Sequence, residues 1–175
     1  MSIQDTSSVR DPSSASSAKL PRNVKLLGWI SLLQDTAGEM VVPLLPQFLI
    51  GVLGGTKFHL GIIEGFADSM SSLVKLWSGG WSDRLGNRKT FVVFGYGLPT
   101  LVRPLLGLAT APWHAFIIRA LDRLGKGVRT PARDALIADS TEPGTRGRAF
   151  GFHRAMDHLG AAAGPLLATG VSVLR

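Results

Sequence analysis

Long apolar runs, separated by short polar stretches, dominate the chain after residue 23. Each of five runs is long enough to cross the roughly 30 Å hydrocarbon core of a membrane, which takes about 20 residues of α-helix. We therefore predict five transmembrane helices, at about 24–53, 58–81, 91–111, 113–138 and 149–174. The fold class that follows from this pattern is an all-α membrane protein.

The first 22 residues differ from the rest of the chain. They are rich in Ser, with Asp, Gln and Pro among them, and they lack the apolar segment of a signal peptide. Such a composition is typical of disordered segments. We therefore predict a disordered tail over residues 1–22.

Basic residues are concentrated in alternate connections between the predicted helices. The basic connections hold Lys19, Arg22 and Lys25, then Arg84, Arg88 and Lys89, then Arg146 and Arg148. The turns on the opposite side hold Lys57 as their single Lys or Arg. Because Lys and Arg are enriched in cytoplasmic loops, we predict a multi-pass protein of the cell (inner or plasma) membrane with a cytoplasmic N-terminus.

The composition narrows the function classes. The 175 residues carry a formal net charge of +7. A positive charge of this size is found in proteins that bind nucleic acid, in proteins that bind an anionic membrane surface, and in membrane proteins with basic cytoplasmic loops. The cations lie in loops and inside apolar runs rather than on a soluble surface, so we predict no nucleic-acid partner. Cys is absent, which excludes disulfides, thiol catalysis and cysteine metal sites, and we expect neither a metal nor another cofactor.

Charged residues inside the predicted helices are the main candidates for function. A charge at the centre of a membrane helix costs about 2.5–3.5 kcal/mol, so these side chains must face protein, water or one another. The helical spacing places acids on one face of helices one and two, and cations of helices four and five are available as their partners. The predicted substrate and proton pathway comprises Asp35, Glu39, Glu64, Asp68, Arg119, Asp122, Arg123, Arg154 and Asp157.

Internal ion pairing that fixes helix packing is the alternative interpretation of these charges. It is favoured for four residues nearer the cytoplasmic end, where pairing or snorkelling to the interface is expected. These residues are Lys126, Arg129, Arg133 and Asp134.

The loop between helices two and three has a specific pattern, Gly79-Gly80-Trp81-Ser82-Asp83-Arg84-Leu85-Gly86-Asn87-Arg88-Lys89. It resembles the loop motif G-x-L-a-D-r-x-G-r-[rk]-x of the major facilitator superfamily, at the position where that family has it. The resemblance implies that Gly79 permits close helix approach and that Gly86 permits the turn. It also implies that Asp83 accepts hydrogen bonds from a facing helix N-terminus. The matching motif residues are Gly79, Asp83, Arg84, Gly86 and Arg88.

One position of this loop departs from the family. Asn87 stands where the family has a basic residue that can pair with an acid at the end of helix four. The acid at the matching position is Asp139, and Arg88 is the next cation along the loop.

Helix five carries a second pattern, Gly160-Ala161-Ala162-Ala163-Gly164-Pro165. It resembles the G-x-x-x-G-P motif of antiporters in the same family, although Ala168-Thr169 replaces the trailing Gly-Gly. Small residues on one face allow close helix contact, and a proline bends a membrane helix. In helix four, Arg119 resembles the arginine found there in many family members.

The resemblance covers residues 24–174, the first five of an expected twelve helices. It implies an incomplete N-terminal six-helix bundle that needs a C-terminal half, in cis or in trans. The implied function is proton-coupled export of a small organic molecule or drug across the lipid bilayer. Asp35, Glu39 and Asp68 are the candidates for protonation, and Arg119 is the candidate substrate or charge partner.

Three other functions stay open. The chain is a truncated fragment that does not transport, an importer of an organic ion, or a membrane-embedded enzyme. The enzyme would use Asp122 and Asp134 for a metal and Gly125-Lys126-Gly127 for phosphate. A P-loop requires Ser or Thr where Gly127 stands, and no hydrolase motif is present, so we expect no enzymatic activity.

Overall fold

The computed structural model describes residues 19–173 and contains five α-helices within that range. The helices are α1 (Arg22–Gly51), α2 (Lys57–Leu85), α3 (Arg88–Val102), α4 (Pro112–Asp139) and α5 (Arg146–Val173). A 3-10 helix, Arg103–Leu108, continues α3, and a second, Pro143–Thr145, precedes α5. The all-α fold and its five helices agree with the sequence prediction. Residues 1–18 of the predicted tail lie outside the described residues, and α1 already begins at Arg22.

The turns are shorter than the polar stretches of the sequence indicate. Residues 82–90 were expected to form a loop, but α2 continues to Leu85 and α3 begins at Arg88. Gly86 has φ +62°, a left-handed conformation that ends a helix within one residue and that glycine adopts without strain. At the far end of α3, Pro104 lacks the N–H that would continue the α-helical hydrogen bonds, and the chain tightens into the 3-10 helix.

Helices α2 and α4 have recognisable starting residues. Thr56 precedes α2, and its Oγ1 accepts a hydrogen bond from the His59 N–H at 3.4 Å, which satisfies a donor that the helix leaves free. Pro112 is the first residue of α4, where a proline costs no hydrogen bond.

Glycines set the closest helix contacts. Helix α1 packs along α5, while α4 packs against both α2 and α3. A Cβ atom on Gly164 of α5 would lie 2.7 Å from the carbonyl oxygen of Thr36 in α1. A Cβ atom on Gly95 of α3 would lie 2.8 Å from the carbonyl oxygen of Gly125 in α4. Both distances are too short for a real Cβ, so these backbones approach more closely than any side chain would allow.

The interior has an apolar cluster at each end and charges between them. The first cluster consists of Val24, Leu27, Val92, Tyr96, Ala132, Ile137 and Ala149. The second consists of Leu45, Leu49, Leu53, Ile63 and Ala115. Between them lie Arg119, Asp122, Arg129 and Arg133, which are 1–3% exposed.

The surface is apolar where the interior is charged. Leu76 is 76% exposed, Leu101 73% and Trp77 71%, and many other large apolar side chains of α1–α5 are also exposed. A soluble protein shows the opposite distribution for its charges. A charged interior with an apolar exterior is the arrangement expected of a helix bundle surrounded by lipid.

Among the described residues, one continuous helical stretch, Arg88–Leu108, is long and apolar enough to cross a membrane by composition alone. The apolar runs of the sequence predict five such spans. The other four helices carry more charged residues or small residues, which lowers their mean hydropathy. Five membrane spans therefore stay a prediction.

Candidate functional site

The buried charges form one layer, centred on α4 and lying between the two apolar clusters. We call it the charged layer. Helix α4 contributes Arg119, Asp122, Arg123, Arg129, Arg133 and Asp134. These residues pair with Glu64 and Asp68 of α2, Arg103 after α3, Asp35 of α1, and Arg154 and Asp157 of α5.

The contact between α2 and α4 joins four of the predicted site residues. The Arg119 Nε and Nη2 atoms each donate to one carboxylate oxygen of Glu64 at 2.8 Å, a two-point contact that fixes orientation as well as charge. Arg123 lies 3.8 Å from Glu64 and places its Nε atom 3.1 Å from Asp68. Asp68 is 64% exposed, so this side of the layer reaches solvent or the surrounding medium.

Asp122 joins this group to α3. Its carboxylate accepts a hydrogen bond from Arg103 Nε at 2.6 Å and lies 3.6 Å from Arg119 Nη1. Arg103 Nη1 also donates to the backbone carbonyl of Gln34 in α1 at 2.8 Å. Arg103 was not among the predicted site residues. The signal that points to it is its position as the single charge inside the apolar run 91–111.

The contact between α1 and α4 contains a buried ion pair. Arg129 Nη2 donates to Asp35 Oδ1 at 2.7 Å, and the Arg129 side chain is 1% exposed. Its guanidinium lies 4.4 Å from the centre of the Tyr96 ring, and the Tyr96 hydroxyl is hydrogen-bonded to Ser31 at 2.8 Å. Of the two arrangements expected for Arg129, pairing and snorkelling, the structure therefore shows pairing. Within residues 19–173, its Nε and Nη1 atoms have no hydrogen-bond partner.

Helix α5 enters the layer through Asp157. Arg133 Nη1 lies 3.4 Å from Asp157, and Arg133 Nη2 lies 3.0 Å from its neighbour Asp134. His153 is 1% exposed and places Nδ1 3.5 Å from Asp157. Arg154, by contrast, is 59% exposed and lies 3.8 Å from Asp134.

A cavity of about 240 Å³ opens beside the Asp35–Arg129 pair. We call it the charged cavity. Its ionisable lining consists of Asp35, Glu39, Asp157, Lys75, Lys126, Arg129, Arg133, Arg154 and His158. The predicted site residues Glu64, Asp68, Arg119 and Arg123 are not part of this lining. The structure thus divides the predicted pathway into two groups, one at the cavity and one at the α2–α4 contact.

A larger cavity of about 550 Å³ lies outside the charged layer, between α2 and α3. Its lining includes Trp77, Trp81, Phe91 and Phe94, and it contains no charged side chain. Its walls are mostly apolar and belong to the exposed surface of the bundle, with the hydroxyl groups of Ser78 and Thr90 among the polar side-chain groups of the described lining.

Arg88 makes the contact expected of the cation at the turn between α2 and α3. Its Nη1 atom donates to Asp139 at the end of α4, and its Nη2 atom donates to Asp83 at 3.0 Å. Arg88, rather than Asn87, is therefore the residue that links this turn to α4. Among residues 19–173, Asp83 thus accepts a hydrogen bond from a side chain, and its contact with a facing helix N-terminus stays a prediction.

The glycines of this motif have different surroundings. Gly86 takes the left-handed conformation, as a tight turn requires. A Cβ atom on Gly79 would lie 3.5 Å from Pro131 Cβ, which is an ordinary contact distance. The close approach between α2 and α4 lies at Gly127, where a Cβ atom would be 2.8 Å from the Ser71 carbonyl. Arg84 is exposed.

The glycines of helix five lie directly against α1. A Cβ atom on Gly160 would lie 2.7 Å from the Leu32 carbonyl, and one on Gly164 would lie 2.7 Å from the Thr36 carbonyl. Pro165 follows inside α5. This face of α5 holds α1 and places Asp35 and Glu39 next to the α5 residues of the charged cavity.

Comparison with known proteins gives one family. The sequence model described as Major Facilitator Superfamily matches residues 27–174. No solved structure matches the chain at a significant level.

Three curated relatives are similar to most of this chain. An uncharacterized MFS-type transporter of Methanocaldococcus jannaschii is 40% identical over 149 residues, which cover 85% of this chain and 37% of the relative. An uncharacterized protein of Mycobacterium tuberculosis is 34% identical over 150 residues, covering 86% and 36%. The multidrug resistance protein MdtH of Sodalis glossinidius is 30% identical over 128 residues, covering 73% and 31%. The chain thus spans about a third of the length of these relatives.

Proposed function

The chain belongs to the major facilitator superfamily, and on that premise we propose that it forms part of a proton-coupled exporter of a small organic molecule. Its helices are then the first five of an N-terminal six-helix bundle in the cell membrane, with the N-terminus in the cytoplasm. The apolar exterior of the bundle supports the membrane location, and the basic connections support this orientation.

The charged layer is the observation that carries this proposal. Ionisable groups inside a membrane bundle are costly and are typical of substrate and proton pathways. Here they connect α1, α2, α4 and α5 through side chains whose pairing depends on charge. A layer of this kind changes its contacts when a proton binds, which a purely apolar core does not do.

Asp35 and Glu39 are the proposed proton carriers at the charged cavity. Protonation of Asp35 removes the negative partner of Arg129 and so loosens the contact between α1 and α4. Glu39 lines the same cavity, and within residues 19–173 no cation lies within ion-pair distance of it. It therefore accepts a proton without breaking an ion pair.

Asp68 and Arg119 have related roles at the α2–α4 contact. The exposed carboxylate of Asp68 exchanges protons with water. When it binds a proton, Arg123, whose Nε atom lies 3.1 Å away, loses a negatively charged partner. Arg119 is held by both oxygens of Glu64 and by Asp122, so we assign it the role of a charge partner that positions α2 against α4.

The direction of transport is proposed from two observations. The Gly160, Gly164 and Pro165 pattern resembles the helix-five motif of antiporters, and these glycines lie at the α1–α5 contact. The relative of Sodalis glossinidius is named a multidrug resistance protein. Both favour export over the uptake of an organic ion.

The alternative is a fragment that does not transport by itself, which the coverage of about a third of each relative favours. The native product in membranes distinguishes the two. An antibody against the Ser-rich tail should detect a band more than twice the 18.6 kDa of this chain if the helices belong to a longer transporter. A band at 18.6 kDa would instead mean that transport requires a second half from another chain, or that the chain transports nothing alone.

Proton coupling is tested with everted membrane vesicles that contain the native product. A panel of small organic acids, amines and neutral compounds is added while a dye reports the pH gradient. We expect at least one compound to dissipate the gradient, and we expect the variant Glu39→Gln to reduce this effect. Glu142→Gln, at an exposed loop position, is the matched control. Transport that persists unchanged after a protonophore collapses the gradient would refute the coupling.

A further inference from the structure

The ionisable lining of the charged cavity is unequal in sign. It contains five Lys or Arg side chains and three Asp or Glu side chains, which leaves a formal charge of +2 with His158 neutral, and of +1 when Asp134, which contacts Arg133 and Arg154, is counted. Inside a membrane bundle such an excess is costly unless an anion offsets it. The charge of its lining therefore favours an anion over a cation in the charged cavity.

Two of the three acids are already engaged by protein cations. Asp35 accepts a hydrogen bond from Arg129 at 2.7 Å, and Asp157 lies 3.4 Å from Arg133. Glu39 is the third acid. The cavity thus offers few free acceptors to a cationic molecule.

Free donors are more numerous. Within residues 19–173, neither Lys75 nor Lys126 has a carboxylate within 4.0 Å, although both line the cavity. Arg129 is 1% exposed, and its Nε and Nη1 atoms have no hydrogen-bond partner in the same part of the chain. A buried guanidinium with unused N–H groups beside two free ammonium groups is suited to a carboxylate or a phosphate.

The other part of the charged layer does not share this property. At the α2–α4 contact, both oxygens of Glu64 hold Arg119, and Arg123 lies between Glu64 and Asp68. Cations and acids there pair with one another. The excess of donors is therefore specific to the charged cavity.

We infer that the charged cavity binds the anionic group, a carboxylate or a phosphate, of the transported molecule, with Lys75, Lys126 and Arg129 as its donors. This inference rests on the proposed transport function and narrows it to organic anions. At about 240 Å³ the cavity accommodates such a group with a small organic part. The anion is carried either by a soluble metabolite or by a lipid headgroup, since both present the same chemistry.

The test measures binding without a proton gradient, on the native product purified from membranes and placed in phosphatidylcholine nanodiscs. Tryptophan fluorescence follows titrations with phenyl phosphate and benzoate, and with benzylamine and benzyl alcohol as cationic and neutral analogues. We expect saturable binding of at least one anion, about tenfold tighter than that of the neutral analogue, since charge-assisted hydrogen bonds are strong. Binding of no anion, or equal binding of benzylamine, would overturn the inference.

Two variants assign the binding to the cavity. Lys75→Gln and Lys126→Gln break no ion pair among residues 19–173, so the fold should be retained. Each should weaken anion binding by about tenfold and leave the weak binding of benzyl alcohol unchanged. Lys57→Gln makes the same change in charge at the exposed start of α2 and should have no effect. An equal loss in Lys57→Gln would show that general surface charge is responsible, which contradicts the proposed site.

Competition by an anionic lipid distinguishes a lipid headgroup from a soluble anion as the natural ligand. Addition of phosphatidylglycerol to the nanodiscs should compete with phenyl phosphate if a headgroup is the natural ligand, and should not compete if a soluble anion is. Both results support the anionic class. Failure of this inference is separable from failure of proton coupling, because binding is measured without a gradient and coupling with one.

Discussion

The contact between α1 and α5 and the contact between α1 and α4 are built from opposite chemistry. In the first, Gly160 and Gly164 bring two backbones together, with 2.7 Å between an ideal Cβ position and a facing carbonyl oxygen. In the second, the backbones lie further apart, and the Asp35–Arg129 pair and hydrogen bonds fill the space. One contact depends on shape and the other on charge.

This difference separates a helix contact that stays unchanged from one that changes when a proton or an anion binds. A glycine contact has no group that titrates or that exchanges partners with a ligand, so α1 and α5 stay together under all conditions that keep the fold. The contact of α4 with α3 combines both kinds of chemistry, because Gly95 meets Gly125 and Arg103 pairs with Asp122. An ion pair in a low-dielectric interior is strong only while both partners are charged. A proton or an anion therefore changes the second contact and leaves the first intact.

The largest expected effect comes from removing the charge of one partner in the buried Asp35–Arg129 pair. Asp35→Asn leaves the charge of Arg129 buried without a partner, and we expect a loss of about 3–5 kcal/mol in the free energy of unfolding. Thermal unfolding in detergent micelles measures it. The double variant Asp35→Asn with Arg129→Gln should recover much of this loss, because no charge then stays buried.

Asp68→Asn is the matched control for that experiment. It makes the same chemical change in the same layer, but Asp68 is 64% exposed, so the loss should stay below about 1 kcal/mol. Equal losses for Asp35→Asn and Asp68→Asn would contradict the distinction between a buried and an exposed pair. A double variant as unstable as Asp35→Asn alone would show that shape, not charge, holds α1 against α4.

A smaller effect is expected at the glycine contact. Gly164→Ala places a Cβ atom 2.7 Å from the Thr36 carbonyl, and the helices must separate at a cost of about 1–3 kcal/mol. Because the clash is with backbone, no second change in a side chain of α1 should restore stability. Gly151→Ala in the same helix, where none of the described residues places an atom within 4 Å of the added Cβ, is the control and should cause no loss. Equal behaviour of the two variants in thermal unfolding would refute the close contact.

The smallest effect is expected at the turn between α2 and α3. Arg88→Gln removes the contacts with Asp83 and Asp139, which are 64% and 59% exposed, so the loss should be under about 1 kcal/mol. It should shrink further in high salt, since solvent screens exposed pairs. Lys89→Gln alters the adjacent charge without an ion pair among the described residues and serves as the control. A loss that is insensitive to salt would show that Arg88 acts by packing.

The number of helices could be predicted from the sequence because apolar runs of sufficient length leave few alternatives. Their ends could not be predicted as well. The polar stretch 82–90 has the composition of a loop, yet Gly86 completes the turn in so few residues that helix continues on both sides. Composition reports polarity, whereas the turn is decided by one backbone conformation.

Helical spacing predicted which face of a helix carries the site residues, but it did not predict which of these residues pair with one another. Helical spacing put Glu64 and Asp68 on one side of α2, and the structure places both against α4. The spacing did not show that Arg129 would meet Asp35, because the relative height of two helices depends on where glycines let them approach. Arg103 was missed for the same reason, since its partner Asp122 lies on a different helix.

The 3-10 helix that ends α3 has a consequence for how this helix fits a membrane. A 3-10 helix rises about 2.0 Å per residue against about 1.5 Å in an α-helix, so its six residues make the 21-residue stretch Arg88–Leu108 about 3 Å longer. The stretch then measures about 35 Å, where an α-helix of equal length would measure about 32 Å. Across a core of about 30 Å, the longer form permits a tilt of up to about 30°, against about 18° for the shorter one.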